Sequence, residues 1–229
     1  IGSPLNNKGP NYISSITPDG NAMTVLLGNE YTGGNKMKPG VSISTKKSSG
    51  WGVPQRLDII NAQIETADGN YFLTNNRKSL IMSVNRFDAF GGTDLYVSFM
   101  QRDGRWTEPL NLGNDINTAH METSPYLAAD NETLYFSSGG YSGHGGSDVY
   151  ISRRLDDTWT NWTEPENLGP DINSEGDDMF FNIPPSGKFA YYAQSNQTDP
   201  GNIHRIELPI FFQPAPVASV SGKVYFENP

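Results

Sequence analysis

Cysteine is absent from the 229 residues, which removes disulfides, thiol nucleophiles and cysteine–metal sites. Histidine occurs only as His120, His144 and His204, and no His-x-x-x-His spacing offers a metal two ligands on one face. There is no Gly-x-Ser-x-Gly nucleophile elbow. No run approaches the ~18 apolar residues that a membrane span needs, so no transmembrane segment is expected. Basic residues are outnumbered, 16 Lys and Arg against 25 Asp and Glu, giving a formal net charge of -9. Such a surface repels phosphate backbones and argues against nucleic acid as a partner. The chain opens at Ile1 without a basic stretch and apolar core, which fits a removed signal peptide or a fragment of a longer protein.

Turn formers are plentiful instead: 24 glycines and 16 prolines, with only 35% hydrophobic residues. This composition suits short strands joined by many turns better than a doubly wound α/β enzyme. The strands repeat. Asn6, Asn61, Asn117 and Asn173 are spaced 55, 56 and 56 apart, and Trp51, Trp106 and Trp162 are spaced 55 and 56 apart. Each of these tryptophans is followed three residues later by Pro54, Pro109 or Pro165. Asp94, Asp148 and Asn202 are spaced 54 and 54 apart. Turn pairs recur at Asp19-Gly20, Asn76-Arg77, Asp130-Asn131 and Ser186-Gly187.

One period reads as a four-stranded meander. In the third unit the strands are expected at 124–128, 134–137, 148–152 and, outermost, around Trp162–Pro165, with a glycine-rich loop over Gly139–Gly146. The segment Leu168–Asn173 then crosses to the next unit. Four short strands per period mark the blades of an all-β β-propeller. The reading is a propeller over 1–209: a blade tail over 1–9, then repeats at about 10–62, 63–118, 119–174 and 175–209. Ile1–Asn6 matches the crossing segments, and the fourth unit lacks its Trp-x-x-Pro strand, so the four repeats are expected to be part of a larger propeller. Residues 210–229 read as a proline-stiffened linker and, at Val220–Phe226, the first strand of a following β-sandwich domain.

Several motifs resemble a known repeat. Thr17-Pro18-Asp19-Gly20-Asn21 is similar to the opening turn of the Pro-Asp, TolB-like (WD40-like) propeller repeats. Leu134–Ser138 followed by Gly145-Gly146-Ser147-Asp148-Val149-Tyr150 is similar to their core, and Phe90–Tyr96 repeats it. Trp106-Thr107-Glu108-Pro109 with Asn111-Leu112-Gly113 matches their tail. The style resembles the propellers of OmpA-family envelope proteins of Bacteroidetes. Two units depart from it: the second has Asn75-Asn76-Arg77-Lys78 at the turn, and the first has Lys38-Pro39-Gly40-Val41 in place of Gly-Gly-x-Asp. The resemblance implies a periplasmic module associated with the outer membrane or cell wall. Its expected partners are envelope or secretion-machinery proteins, including type IX secretion, and peptidoglycan reached through domains outside this chain.

The repeated residues are assigned to structure. Asp94 and Asp148 follow a Gly-Gly pair, where a carboxylate accepts turn N–H groups. Trp51, Trp106 and Trp162 are expected to pack between blades. Asp19, Gly20, Asp130 and Asn202 complete this structural set. The glycine-rich loops lack the lysine and following helix of a phosphate loop. The acidic runs Asp156-Asp157 and Glu175–Asp178 read as solvated loops rather than calcium sites, since no EF-hand spacing supports them. No catalytic residue, metal or cofactor is assigned. The expected activity is therefore that of a non-catalytic interaction scaffold, with Tyr31, Phe87, Phe90, Tyr141, His144 and Trp159 in the variable loops as candidate contacts. The alternative is a carbohydrate-binding or glycan-processing propeller. Its carboxylates would come from off-register acids such as Glu30, Glu65, Asp88, Glu122 and Asp177, although no sialidase-like Ser-x-Asp-x-Gly-x-x-Trp box occurs.

Overall fold

The computed structural model describes residues 2–6, 12–16, 24–28, 30–31, 37–65, 69–184, 187–196, 198 and 201–217. Asp19, Gly20 and the strand expected over Val220–Phe226 lie outside the described residues.

Four antiparallel sheets follow one another along the chain. The first holds β1 (Ile13–Ile16), β2 (Thr24–Leu27), β5 (Ser42–Lys47), β6 (Gly50–Trp51) and β7 (Gln55–Arg56), with a small hairpin of β3 (Glu30–Tyr31) and β4 (Met37–Lys38) between β2 and β5. The second is β8 (Asn70–Leu73), β9 (Ser79–Val84), β10 (Asp94–Phe99) and β11 (Leu110–Asn111). The third is β12 (Glu122–Leu127), β13 (Thr133–Ser138), β14 (Asp148–Arg153) and β15 (Glu166–Asn167). The fourth is β16 (Asp177–Asn182), β17 (Phe189–Ser195) and β18 (Asn202–Glu207).

Each sheet is an up-and-down meander whose first strand is innermost. The inner strands pack in series, β1 on β8, β8 on β12 and β12 on β16. Hydrogen bonds tie the series together. Ser14 Oγ donates to Tyr71 O at 2.8 Å, Thr123 Oγ1 donates to Asn70 Oδ1 at 3.2 Å, and Tyr126 Oη donates to Ile183 O at 2.7 Å. Sheets arranged radially about their first strands are the blades of a β-propeller.

Stacking buries both faces of the middle strands, so β9 and β13 are buried along their whole length rather than at alternate residues. Leu80 and Met82 of β9 face the first blade with Val41 and Trp106, while Ile81 faces the third blade with Leu134 and Phe136. Three apolar layers result, one between each pair of neighbouring blades. Short strands with two buried faces build a core from a modest supply of apolar residues.

Two boundaries differ from those expected. The outermost strand of the third blade is β15, Glu166–Asn167, and Trp162 makes only an isolated bridge to Arg154. Pro165 cannot donate to a ladder. Thr163 ties this stretch to β14 instead, its Oγ1 accepting Arg153 N–H at 2.9 Å and its carbonyl accepting Ser152 Oγ at 2.7 Å. The segment after Pro209 is not a free linker. Ile210–Phe212 forms a 3-10 turn, Phe212 joins the core between the third and fourth blades, and Tyr135 Oη donates to Phe212 O.

Candidate interaction face

The β9–β10 loop and the β11–β12 crossing lie at the same end of the sheets, because each joins the ends of neighbouring antiparallel strands. The Gly-Gly pairs bring these connections together. Gly92 N–H donates to His120 O at 3.0 Å, and a Cβ on Gly91 would lie 2.3 Å from that carbonyl. One blade on, Gly146 N–H donates to Gly176 O at 2.8 Å, and a Cβ on Gly145 would lie 2.3 Å from the Glu175 carbonyl carbon. Glycine is required here because the next blade's backbone occupies the space of a side chain.

The repeated acids organise the same loops. Asp94 accepts Phe90 N–H at 2.8 Å and Asn111 Nδ2 at 2.8 Å. Asp148 accepts His144 N–H at 2.5 Å and Asn167 Nδ2 at 3.0 Å, and its other oxygen, buried, has no hydrogen-bond partner. Trp106 is buried between the first two blades and Trp162 between the second and third, while Trp51 is half-buried against Leu5 and Leu27. Asp130 closes the β12–β13 turn by accepting Glu132 and Thr133 N–H. Asn202 opens the exposed strand β18.

The proposed contact residues divide. Phe87 is 69% exposed and Phe90 56% exposed. Tyr141, at the register position of Phe87, is half-buried, its ring tilted against Tyr150 at 5.1 Å and its hydroxyl donating to Ile116 O at 2.8 Å. The difference has a cause. In the second blade Arg86 fills that aromatic slot, its guanidinium 5.4 Å from the Tyr96 ring and donating to Asn61 O and Ala62 O. Phe87 is thereby left outside. His144 is exposed and Tyr31 half-buried.

Trp159 is a correction. It is 8% exposed, turned inward by a left-handed backbone (φ 65°) onto Phe99 and Trp162, with the Arg154 guanidinium 4.6 Å over its ring. A residue outside the repeat register had looked like surface. The sequence reading also missed Met121, 55% exposed, whose Cγ lies 2.6 Å from where a Gly92 Cβ would sit. Phe87, Phe90 and Met121 thus occupy two adjoining loops on one face.

Three of the off-register acids accept hydrogen bonds from their own surroundings. Asp88 is held by Arg86 and Tyr96, each at 3.1 Å. Glu122 is fully buried, accepting Thr118 Oγ1 and Ser138 Oγ, each at 2.7 Å. Asp177 accepts Ser147 N–H at 2.9 Å. Glu65 is exposed, and the side chain of Glu30 lies outside the described residues. Among the described residues no three acidic or histidine groups are placed to hold a metal ion, and no helix is long and apolar enough to cross a membrane.

No protein-family model and no curated protein matches the chain. Solved structures do. The α-L-arabinofuranosidase from Lactobacillus brevis superimposes with a TM-score of 0.51 at 10% identity, over 83% of this chain and 70% of that one. TolB from Acinetobacter baumannii gives 0.49 at 15% identity, over 84% and 39%. The Bacteroides ovatus xyloglucan PUL GH43B gives 0.47 at 12%, over 92% and 46%. The chain spans less than half of each of the last two. At these identities the likeness is one of fold. It nevertheless overturns one expectation, that the chain is not an enzyme: an arabinofuranosidase shares this fold, so an architecture without recognisable catalytic motifs gives no ground for excluding catalysis.

Proposed function

We propose that this chain is a protein-interaction propeller of the bacterial cell envelope. The observation that carries the reading is the exposed apolar group Phe87, Phe90 and Met121 on two adjoining loops of one face. A rigid frame holds these side chains out, with Gly91 and Gly92 fixed against His120 and Arg86 occupying the slot in which Tyr141 lies half-buried one blade on. Exposed aromatic and methionine side chains on a fixed scaffold suit the desolvated centre of a protein interface. The motif resemblance to OmpA-family envelope proteins supports a periplasmic location at the outer membrane or cell wall, with type IX secretion components as one class of partner.

The test uses the full chain carrying Phe87→Ser and Phe90→Ser together, immobilised beside the unaltered chain and incubated with detergent-solubilised envelope proteins. The reading expects a defined envelope protein on the unaltered chain and at least a tenfold loss on the double variant. Equal retention by both would remove this face from the interaction.

A second reading, action on or binding of glycans, is favoured by the fold shared with the arabinofuranosidase. Release of arabinose from an aryl arabinofuranoside by the purified chain, or its retention on arabinose-bearing polysaccharide, would support it.

A further inference from the structure

Four connections build the face of the second to fourth blades: 85–93, 112–121, 139–147 and 168–176. Each touches the next. Gly92 N–H donates to His120 O at 3.0 Å, Tyr141 Oη donates to Ile116 O at 2.8 Å, and Gly146 N–H donates to Gly176 O at 2.8 Å. The charges they carry are of one sign. Asp88, Asp115, Asp171 and Glu175 stand against one arginine, Arg86, and no lysine. Arg86 does not offset them at the surface. Its side chain is buried and is used by Asp88 at 3.1 Å and by the carbonyls of Asn61 and Ala62. Asp115, Asp171 and Glu175 are exposed. Glu65, also exposed, adds an acid beside the apolar group, because its N–H donates at 3.1 Å to the carbonyl of Asn85, two residues before Phe87.

The connections at the other end of the same sheets mix the signs. The β8–β9 turn carries Arg77 and Lys78. Beyond β10, Arg105 pairs with Asp103 at 2.9 Å, and beyond β14, Arg154 pairs with Asp157 at 2.8 Å. Negative charge is thus paired with positive at that end and left unpaired on the face that carries Phe87, Phe90 and Met121. The blade scaffold does not account for this division, since its own carboxylates at the strand starts, Asp94, Glu122, Asp148 and Asp178, are all buried.

We infer that the occupant of this face is a polypeptide segment whose apolar side chains are flanked by lysine or arginine. The inference rests on the interaction role proposed above for Phe87, Phe90 and Met121, and adds the chemistry of the partner. The apolar group supplies a centre that gains from desolvation, and the acids around it supply a polar rim. Rim charges of one sign draw in a partner of the other sign and reject one of the same sign, so they select more than they hold. An anionic lipid or phosphate surface is rejected on the same ground. Being exposed, the rim acts through solvent, and its pull is screened by salt over about a Debye length, ~8 Å at physiological ionic strength.

Selection from a library of random short peptides on the immobilised full chain tests it. Peptides retained by the unaltered chain are compared with those retained by the chain carrying Phe87→Ser and Phe90→Ser, so that attraction by net charge alone is subtracted. The peptides that need the two phenylalanines are expected to be enriched at least about threefold in lysine and arginine beside apolar residues, and depleted in aspartate and glutamate. A synthetic peptide from this set is expected to bind about tenfold more weakly to the chain carrying Glu65→Lys and Glu175→Lys, exposed changes that leave the apolar group in place, and to weaken as salt rises. Peptides that need the phenylalanines but show no basic bias, or whose affinity the charge reversal leaves unmoved, overturn the inference and leave the apolar face standing as a contact site. Basic peptides held equally by the double phenylalanine variant also overturn it, because net charge then accounts for them. If no peptide needs the phenylalanines, the inference falls together with the reading on which it rests.

Discussion

The side chain of Asn173 pairs with the backbone of Val149 from both sides, accepting its N–H at 2.8 Å and donating to its carbonyl at 3.0 Å. It stands where the next residue of a neighbouring strand would stand, and supplies the same donor and acceptor. Its Nδ2 also donates to Asn167 Oδ1 at 2.8 Å, and Asn167 in turn donates to Asp148 at 3.0 Å. The second blade carries the same relay through Asn117, Asn111 and Asp94. The relay fixes the outer strand, the crossing segment and the loop at the start of the third strand in one arrangement. The face of the propeller inherits its shape from it.

Removing this asparagine should therefore cost more than an ordinary surface hydrogen bond. In Asn173→Ala or Asn117→Ala the buried N–H of Val149 or Leu95 loses its acceptor, while the carbonyl keeps the N–H of Leu168 or Leu112 and the neighbouring asparagine oxygen keeps that of Gly169 or Gly113. An unsatisfied buried polar group costs about 1–3 kcal/mol, so each variant is expected to lose roughly that much in urea unfolding. Asn6→Ala, changing the equivalent but exposed side chain, is expected to stay within about 0.5 kcal/mol in dilute solution. Equal losses at all three positions would mean that the asparagines act through their turns and not through the grip on the third strand.

Glycine at 91 and 145 is expected to be irreplaceable for a steric reason. Alanine there puts a methyl group 2.3 Å from backbone of the adjoining blade, which has no flexible end to move aside. Overpacking of this kind costs about 1–3 kcal/mol or more. At Gly139 the nearest atom to a new methyl is the Gly146 carbonyl at 3.5 Å, an ordinary contact. Thermal unfolding of Gly91→Ala, Gly145→Ala and Gly139→Ala should separate the first two, strongly destabilised, from the third.

Much of this architecture is written in the spacing of a few residues. Strands β12, β13 and β14 fall within a residue or two of the positions read from alternation and turn pairs. What the spacing lacked was partnership. Asn117 and Asn173 recur in register, but the backbone each one holds lies 22 and 24 residues earlier, and no local pattern announces it. Trp159 failed for a related reason. It sits outside the repeat, and only the left-handed turn at its own backbone folds it under Arg154. Phe87 and Tyr141 share a register position yet point to opposite environments, because a single neighbour, Arg86, fills the slot in one blade. The exclusion of catalysis failed most generally, since sites made from unrepeated residues on different blades leave no motif in a single sequence.

Asp178 supplies a prediction in pH. Burial, the largest influence, raises its pKa above the ordinary carboxylate value of 3.8, against hydrogen bonds from Ser174 and Gln194 that lower it. A carboxyl whose folded pKa is raised binds its proton more tightly in the folded state. Its stabilising contribution is complete below the unfolded pKa and is lost as pH rises through the folded one. The unaltered chain should therefore lose stability relative to Asp178→Asn from about pH 4 upward, in the direction set by burial. Urea unfolding of both proteins between about pH 3.5 and 7 measures the difference, which should open with rising pH and then level off. A difference that instead grows toward acid would mean that the hydrogen bonds from Ser174 and Gln194 outweigh burial, and that Asp178 is held as a charged anchor of the fourth blade.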